Sequence, residues 1–373
     1  MKQILSIVSF WFILKFSDKL ESKMAQTFEE KQAFIQSGVK FYKNRGYTLR
    51  GSINSIFKSN GLLNTKSSWE DTYKLISEFQ NSEINNEILD KIIEAFHNDL
   101  FSTILFRDKY LSIYENPKNY DDIIAKLDEI SIDFDGDFSS ILDNSLDFEY
   151  IKTIHNHQIF YTFKSIRSLS TKVDLGVFAL KQDFVDEEYE RVFAYKTVDL
   201  PCFNSIIFDT QKKNIILSVD LANQFQDENL RAEIARLVNL IRQTTGLGHT
   251  IEDTGINLFP CVAKLYHEQP GVIKELAFKT DDGVAHREIA RGGIDDVREG
   301  DYHVGGTAST SIQPKKKKKI YGGKKFNDKK DLLLKGSWYI LNLPTPILTN
   351  VTITVNSAQD MNDMVNKLIA FSL

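Results

Sequence analysis

The run FNSIIFDTQKKNIILSV, residues 203–219, holds two apolar stretches, Phe203 to Phe208 and Ile215 to Val219, around the polar turn residues Asp209 to Asn214. Short apolar runs joined by turn residues read as two buried strands. A helix follows, because Leu230, Ile234, Leu237, Val238 and Ile241 recur at the spacing that places them on one face. Gly246 and Gly248 then end that helix. A dinucleotide-binding Gly-x-Gly would open a helix after a strand, so left-handed C-cap geometry is the better reading.

Strand-like segments surround this unit. Ile151 to Lys164, Val173 to Leu180, Arg191 to Val198, Val272 to Lys279, Leu332 to Leu341 and Val351 to Val355 carry β-branched and aromatic residues. Ser357 and Asp360 make a capping-box-like start for a last helix with Met361, Met364, Val365 and Leu368 inward. Upstream the period is helical: Ile35, Val39 and Tyr42 form one stripe, and Ile53, Ile56 and Phe57 another. Ser67 and Glu70 read as a capping box for a helix burying Trp69, Tyr73, Ile76 and Phe79. Ile84, Ile88, Ile92, Phe96 and Leu100 define a longer helix continuing towards Tyr114, and Ile123, Leu127 and Ile130 one more.

The expected fold class is therefore α+β: a helical N-terminal domain over 24–130, an acidic linker over 131–145, and an α+β domain with a mixed or antiparallel sheet over 146–373. Asp133, Asp135 and Asp137 around Gly136 fail as a calcium loop, since Leu142 would stand where an acidic ligand is required. Residues 1–23 resemble a signal peptide in their charged start and apolar run from Ile4 to Leu14, but no cleavage site follows. Translation starting at Met24 is the preferred reading.

At 373 residues with 42% hydrophobic and 26% charged side chains, the composition is that of a globular chain. The net charge of -5 excludes a wholly basic coat, so any nucleic-acid contact must be local. Two cysteines, Cys202 and Cys261, support neither a disulfide framework nor a four-cysteine zinc site. A cytoplasmic protein without a membrane anchor is expected. Abundant Ile, Asn, Lys and Phe suggest an AT-rich bacterial gene, and with it a mobile-element or phage-defence role.

Lys315, Lys316, Lys317, Lys318 and Lys319 are consecutive, followed by Lys324 and Lys325, with Gly322 and Gly323 between them. This predicts a lysine-rich loop over 313–331 that neutralises phosphates, with Tyr321 and Phe326 stacking on bases. Arg287, Arg291 and Arg298 lie just upstream and would contact phosphates too. The same upstream segment contains Glu288, and offers His286, Asp295, Asp296, Asp301 and His303 as candidates for a metal-dependent phosphodiesterase. His155 and His157, two apart in a predicted strand, would share a face and form part of a metal site.

The function expected from these features is nucleic-acid binding through phosphates, with little sequence specificity and no cofactor. The alternatives are a nuclease using Mg²⁺ or Zn²⁺, and a scaffold that binds a protein partner or a second copy. No Gly-x-Ser-x-Gly or Gly-Lys-Ser/Thr motif is present, which disfavours serine hydrolase and P-loop chemistry.

Overall fold

The computed structural model describes residues 27–81, 84, 86–134, 150–174, 192–221, 227–246, 251–291, 295–322 and 330–373. The signal-like segment 1–23 with Met24, and the acidic linker beyond Phe134, lie outside them; the linker's first residues, Ser131–Asp133, are a strand. Five helices come early: α1 (Phe28–Asn44), α2 (Ile53–Ser59), α3 (Trp69–Ser77), α4 (Asn86–Leu105) and, after strand β1 (Lys109–Tyr114), α5 (Tyr120–Ile130). Strands β2 (Ser131–Asp133), β3 (Tyr150–His155), β4 (Gln158–Asp174), β5 (Phe193–Asp209) and β6 (Asn214–Asp220) precede α6 (Asp227–Thr245) and α7 (Phe259–His267). The remainder is β7 (Val272–Thr280), β8 (Ala285–Ile289), α8 (Asp301–Ser309), β9 (Ile312–Gly322), β10 (Lys330–Lys335), β11 (Asn350–Thr354) and α9 (Ala358–Ser372).

The strands form one mixed sheet in the order β2-β3-β4-β5-β6-β1-β11-β10-β9-β7-β8. The β2–β3 pair is parallel and the other pairs are antiparallel. The fold is α+β. The hairpin at 203–219 lies near the middle of the sheet, with Ser205 opposite Ser218 and Asp209 opposite Asn214. Both faces of this hairpin are covered. Ile207 and Ile216 join a core with α1, α2, α4, α7 and α9, while Ile206, Phe208, Ile215 and Leu217 join a second core with α5 and α6. That double burial explains why the two runs are apolar rather than alternating.

Several expectations are corrected. The helix running through Leu100 ends at Leu105, and Lys109–Tyr114 is a strand between β6 and β11. Asp108 in the left-handed region (φ 53°) turns the chain at that point. Residues 24–130 thus supply a central strand, and α1, α2 and α4 share a core with sheet residues such as Phe203, Ile353 and Val355. The cap of α3 is Ser68, whose hydroxyl accepts from the Asp71 N–H, one residue after the expected Ser67 and Glu70 pair. The strand expected over Leu332 to Leu341 stops at Lys335 and gives way to a 3-10 turn at Trp338–Asn342. Ser357 does cap α9, accepting from the Asp360 N–H, and Gly246 (φ 70°) does end α6.

Candidate functional site

The lysine run is a strand. β9 pairs with β10 on one side and β7 on the other, so Lys315 to Lys319 lie inside the sheet rather than in a loop. A strand alternates its faces, and Lys315, Lys317 and Lys319 all turn inward, where their residues are at most 7% exposed. Their stems pack as hydrocarbon. Two of the amines meet carbonyls of α7 and its C-cap: Lys317 Nζ donates to Val262 O inside the helix, and Lys319 Nζ to Leu265 O (3.1 Å), Glu268 O (2.9 Å) and Glu268 Oε2 (2.7 Å) at its end. Lys315 Nζ donates to Gly336 O at 3.1 Å and sits 3.9 Å from the centre of the Trp338 ring. The last carbonyls of a helix lack partners in their own helix and carry partial negative charge, so the Lys319 donor at Leu265 and Glu268 is favourable. Burial pushes the Lys317 amine down to about 6, with Lys319 and Arg298 adding to the effect, and also lowers Lys315 and Lys319.

Lys316 faces the other way and bonds Glu275 Oε1 at 2.5 Å, an oxygen shared with Arg287 Nε at 2.8 Å. Arg298 belongs to the same scaffold as the buried lysines. It donates to Tyr266 O (2.9 Å) and Gly271 O (2.8 Å) and pairs with Asp296 at 2.7 Å. Arg291 is exposed at the end of β8. The side chains of Lys318 and Tyr321, and residues Lys324, Lys325 and Phe326, lie outside what is described. Of the cations assigned to phosphates, Lys315, Lys317, Lys319 and Arg298 thus have their donors turned onto the protein itself.

The candidate nuclease residues do not converge. Asp295 pairs with Lys274 at 3.0 Å, Asp296 caps a 3-10 turn and holds Arg298, and Asp301 is an exposed first residue of α8. His286 stacks on Phe278 with ring centres 5.3 Å apart. Only His303 enters a closer constellation. It is 4% exposed; its Nδ1 is 2.6 Å from Glu288 Oε2, and its Nε2 is 2.7 Å from the Tyr266 hydroxyl. α8 supplies the imidazole, β8 the carboxylate and α7 the phenol. Burial raises the Tyr266 phenol, against the lowering influence of Arg298. Tyr266 gave no signal in the sequence, whereas His286 and Glu288, two apart in a strand, could have been read as sharing a face.

His155 and His157 do not share a strand face. β3 ends at His155, and Asn156 (φ 54°) and His157 form the turn into β4. His155 is enclosed by Phe101, Phe106 and Phe160, and burial lowers it; His157 lies 3.9 Å from Asp209. Among the described residues no three His, Cys, Asp or Glu side chains are grouped to hold a metal ion, and no helix is long and apolar enough to cross a membrane. Cys202 and Cys261 are buried, and burial pushes their thiols up to about 12 and 11.

A second buried polar cluster had no sequence signature. Asp220 accepts from Arg45 Nη2 at 2.5 Å and from the Phe203 N–H at 2.8 Å, and lies 3.6 Å from Lys109 Nζ. All three charged side chains are at most 1% exposed. Burial lowers Lys109 to about 8 against the pull of Asp220. The three residues join α1 to the middle of the sheet. Compared with known proteins, the chain matches no family model and no curated protein.

Proposed function

We propose that this chain is an interaction module that binds a protein partner or a second copy of itself, the scaffold reading of the sequence. The observation that supports it is the outer part of the β4–β5 hairpin. From Phe163 opposite Asn204 out to Asp174 opposite Phe193, β4 and β5 pair only with each other among the described strands. That ribbon presents Tyr195, 72% exposed, beside polar Ser168, Thr197 and Asp199. Aromatic side chains, with few rotatable bonds, give contact area at low conformational-entropy cost, as binding surfaces require. The nucleic-acid reading loses ground for a physical reason: Lys315, Lys317 and Lys319 cannot reach a phosphate without abandoning the carbonyls of α7 and Gly336.

The test is a pull-down and sedimentation comparison of the wild type with Tyr195→Ser. The wild type is expected to self-associate or retain a protein, and the variant to lose it while unfolding at the same temperature. A monomeric wild type that retains no protein, but holds DNA or RNA in a salt-dependent manner, would overturn the proposal in favour of phosphate contact.

A further inference from the structure

We propose that Tyr266, His303 and Glu288 form a nucleophilic triad for acyl transfer, with Tyr266 as nucleophile, His303 as its base and Glu288 positioning the imidazole. The geometry is that of an activated nucleophile: base within hydrogen-bond reach of the hydroxyl, and a third group orienting the base. Glu288 accepts from His303 Nδ1–H at 2.6 Å, which leaves the Nε2 lone pair facing the Tyr266 hydroxyl at 2.7 Å.

The helix carrying His303 strengthens the case. Of the nine residues of α8 only His303 is buried; Tyr302 and Val304 are 69% and 54% exposed, and Gly305 and Gly306 stand in mid-helix. A short helix with two glycines and no apolar face has little intrinsic stability. Its one inward side chain is the His303 imidazole, which makes both hydrogen bonds and packs on the Tyr266 and Phe278 rings.

The surroundings select the substrate class. Arg298 is committed to Asp296 and three backbone carbonyls, and Lys317, with its ring contact to Tyr266 at 4.9 Å, is committed to Val262 O. Neither is free to neutralise a phosphoryl group. Phe278 and the rings of His286 and Tyr302 complete the neighbourhood. An uncharged carboxylic ester fits this environment better than a phosphate ester. In the reaction, the Tyr266 oxygen bonds to the ester carbonyl carbon and the carbon–oxygen bond to the leaving group breaks. The phenolic proton passes to His303 Nε2 and on to the leaving oxygen. Water, deprotonated by the same nitrogen, then releases the acid and restores the phenol. A phenoxide leaves more readily than an alkoxide, so acylation goes forward only when the ester's own leaving oxygen is an aryl oxide at least as good, and the acyl-tyrosine then discharges to water without a further cofactor.

The experiment exposes the full-length protein to p-nitrophenyl acetate and maps acetylated tyrosines by mass spectrometry over time. Tyr195 and Tyr339, 72% and 69% exposed, are controls within the same molecule. Half-buried Tyr266 is expected to acetylate at least about tenfold faster than either of them, a modest share of what general-base catalysis supplies. The shape of its pH–rate profile should differ from theirs, because a neighbouring imidazole rather than bulk base takes its proton. Glu288→Gln should cut the Tyr266 rate about tenfold or more and shift its pH profile. Equal or slower labelling of Tyr266 in the wild type overturns the proposal, and that comparison needs no variant to fold. An unchanged rate and profile in a folded Glu288→Gln overturns the role of Glu288.

Discussion

Replacing Lys317 with methionine tests whether its amine is a structural group held out of water. Methionine keeps most of the stem's volume and deletes the titrating nitrogen. An ordinary lysine titrates near 10.4, whereas burial holds Lys317 at about 6. Between those values the unfolded chain binds a proton that the folded chain lacks, so stability rises with pH by about 1.4 kcal/mol per unit. The contribution is full above the unfolded value, is lost as pH falls towards 6, and is constant below. From pH 7 to 9 the wild type should gain about 2.7 kcal/mol from this residue, and Lys317→Met should lack that gain. At pH 7 the variant escapes a deprotonation cost of about 4.6 kcal/mol but leaves Val262 O without its donor, at about 1–3 kcal/mol. It should therefore be more stable than the wild type by roughly 2–4 kcal/mol there, and lose most of that advantage by pH 9. Lys109 and Lys315 are also lowered by burial, but they are present in both proteins and cancel in the difference. Urea unfolding at pH 7, 8 and 9 and constant ionic strength measures it. Parallel stability curves for the two proteins would refute the reasoning and return Lys317 to solvent.

Asp220→Asn strands Arg45 and Lys109 as buried cations, and chemical denaturation should show a loss of about 3–5 kcal/mol. Thr27 caps α1 in a full capping box with Glu30, so Thr27→Ala should cost about 1 kcal/mol in the same assay. At Gly336 an added Cβ would stand 2.8 Å from Lys315 O, a backbone atom within β9, so Gly336→Ala should lower the unfolding temperature by several degrees, the shift of about 1–3 kcal/mol typical of overpacking.

The elements whose burial follows from period were legible. The hairpin over 203–219, the face of α6 and the Ser357 cap of α9 all depend on near neighbours in sequence, and each lies where the residues put it. β1 was missed because its apolar residues continue the spacing of α4. What separates them is the turn at Asp108 and pairing with β6 and β11, more than a hundred residues downstream. The Arg45–Asp220–Lys109 cluster is similarly invisible, since its members come from the C-cap of α1, from β6 and from β1. Glu288 and His303 drew notice as types of residue, but their convergence on Tyr266 is set by the packing of β8, α8 and α7.

The lysine run shows how composition can point the wrong way. Five consecutive lysines read as a solvated patch because a buried ammonium is costly, and that cost is what the lowered amines of Lys315, Lys317 and Lys319 express. Yet a strand beside the end of α7 faces a row of carbonyls, and a residue with a long apolar stem and a terminal donor spans that distance. Alternation then divides the run: Lys315, Lys317 and Lys319 serve the fold, and Lys316 pairs with Glu275 on the opposite face. Changing all five to alanine would remove three buried stems together with their donors, at about 2 kcal/mol or more for each stem. Loss of nucleic-acid binding in such a variant would then report unfolding. A variant confined to Lys316, Lys324 and Lys325 leaves the α7 contacts intact, so a reduced salt slope there would be evidence of phosphate contact.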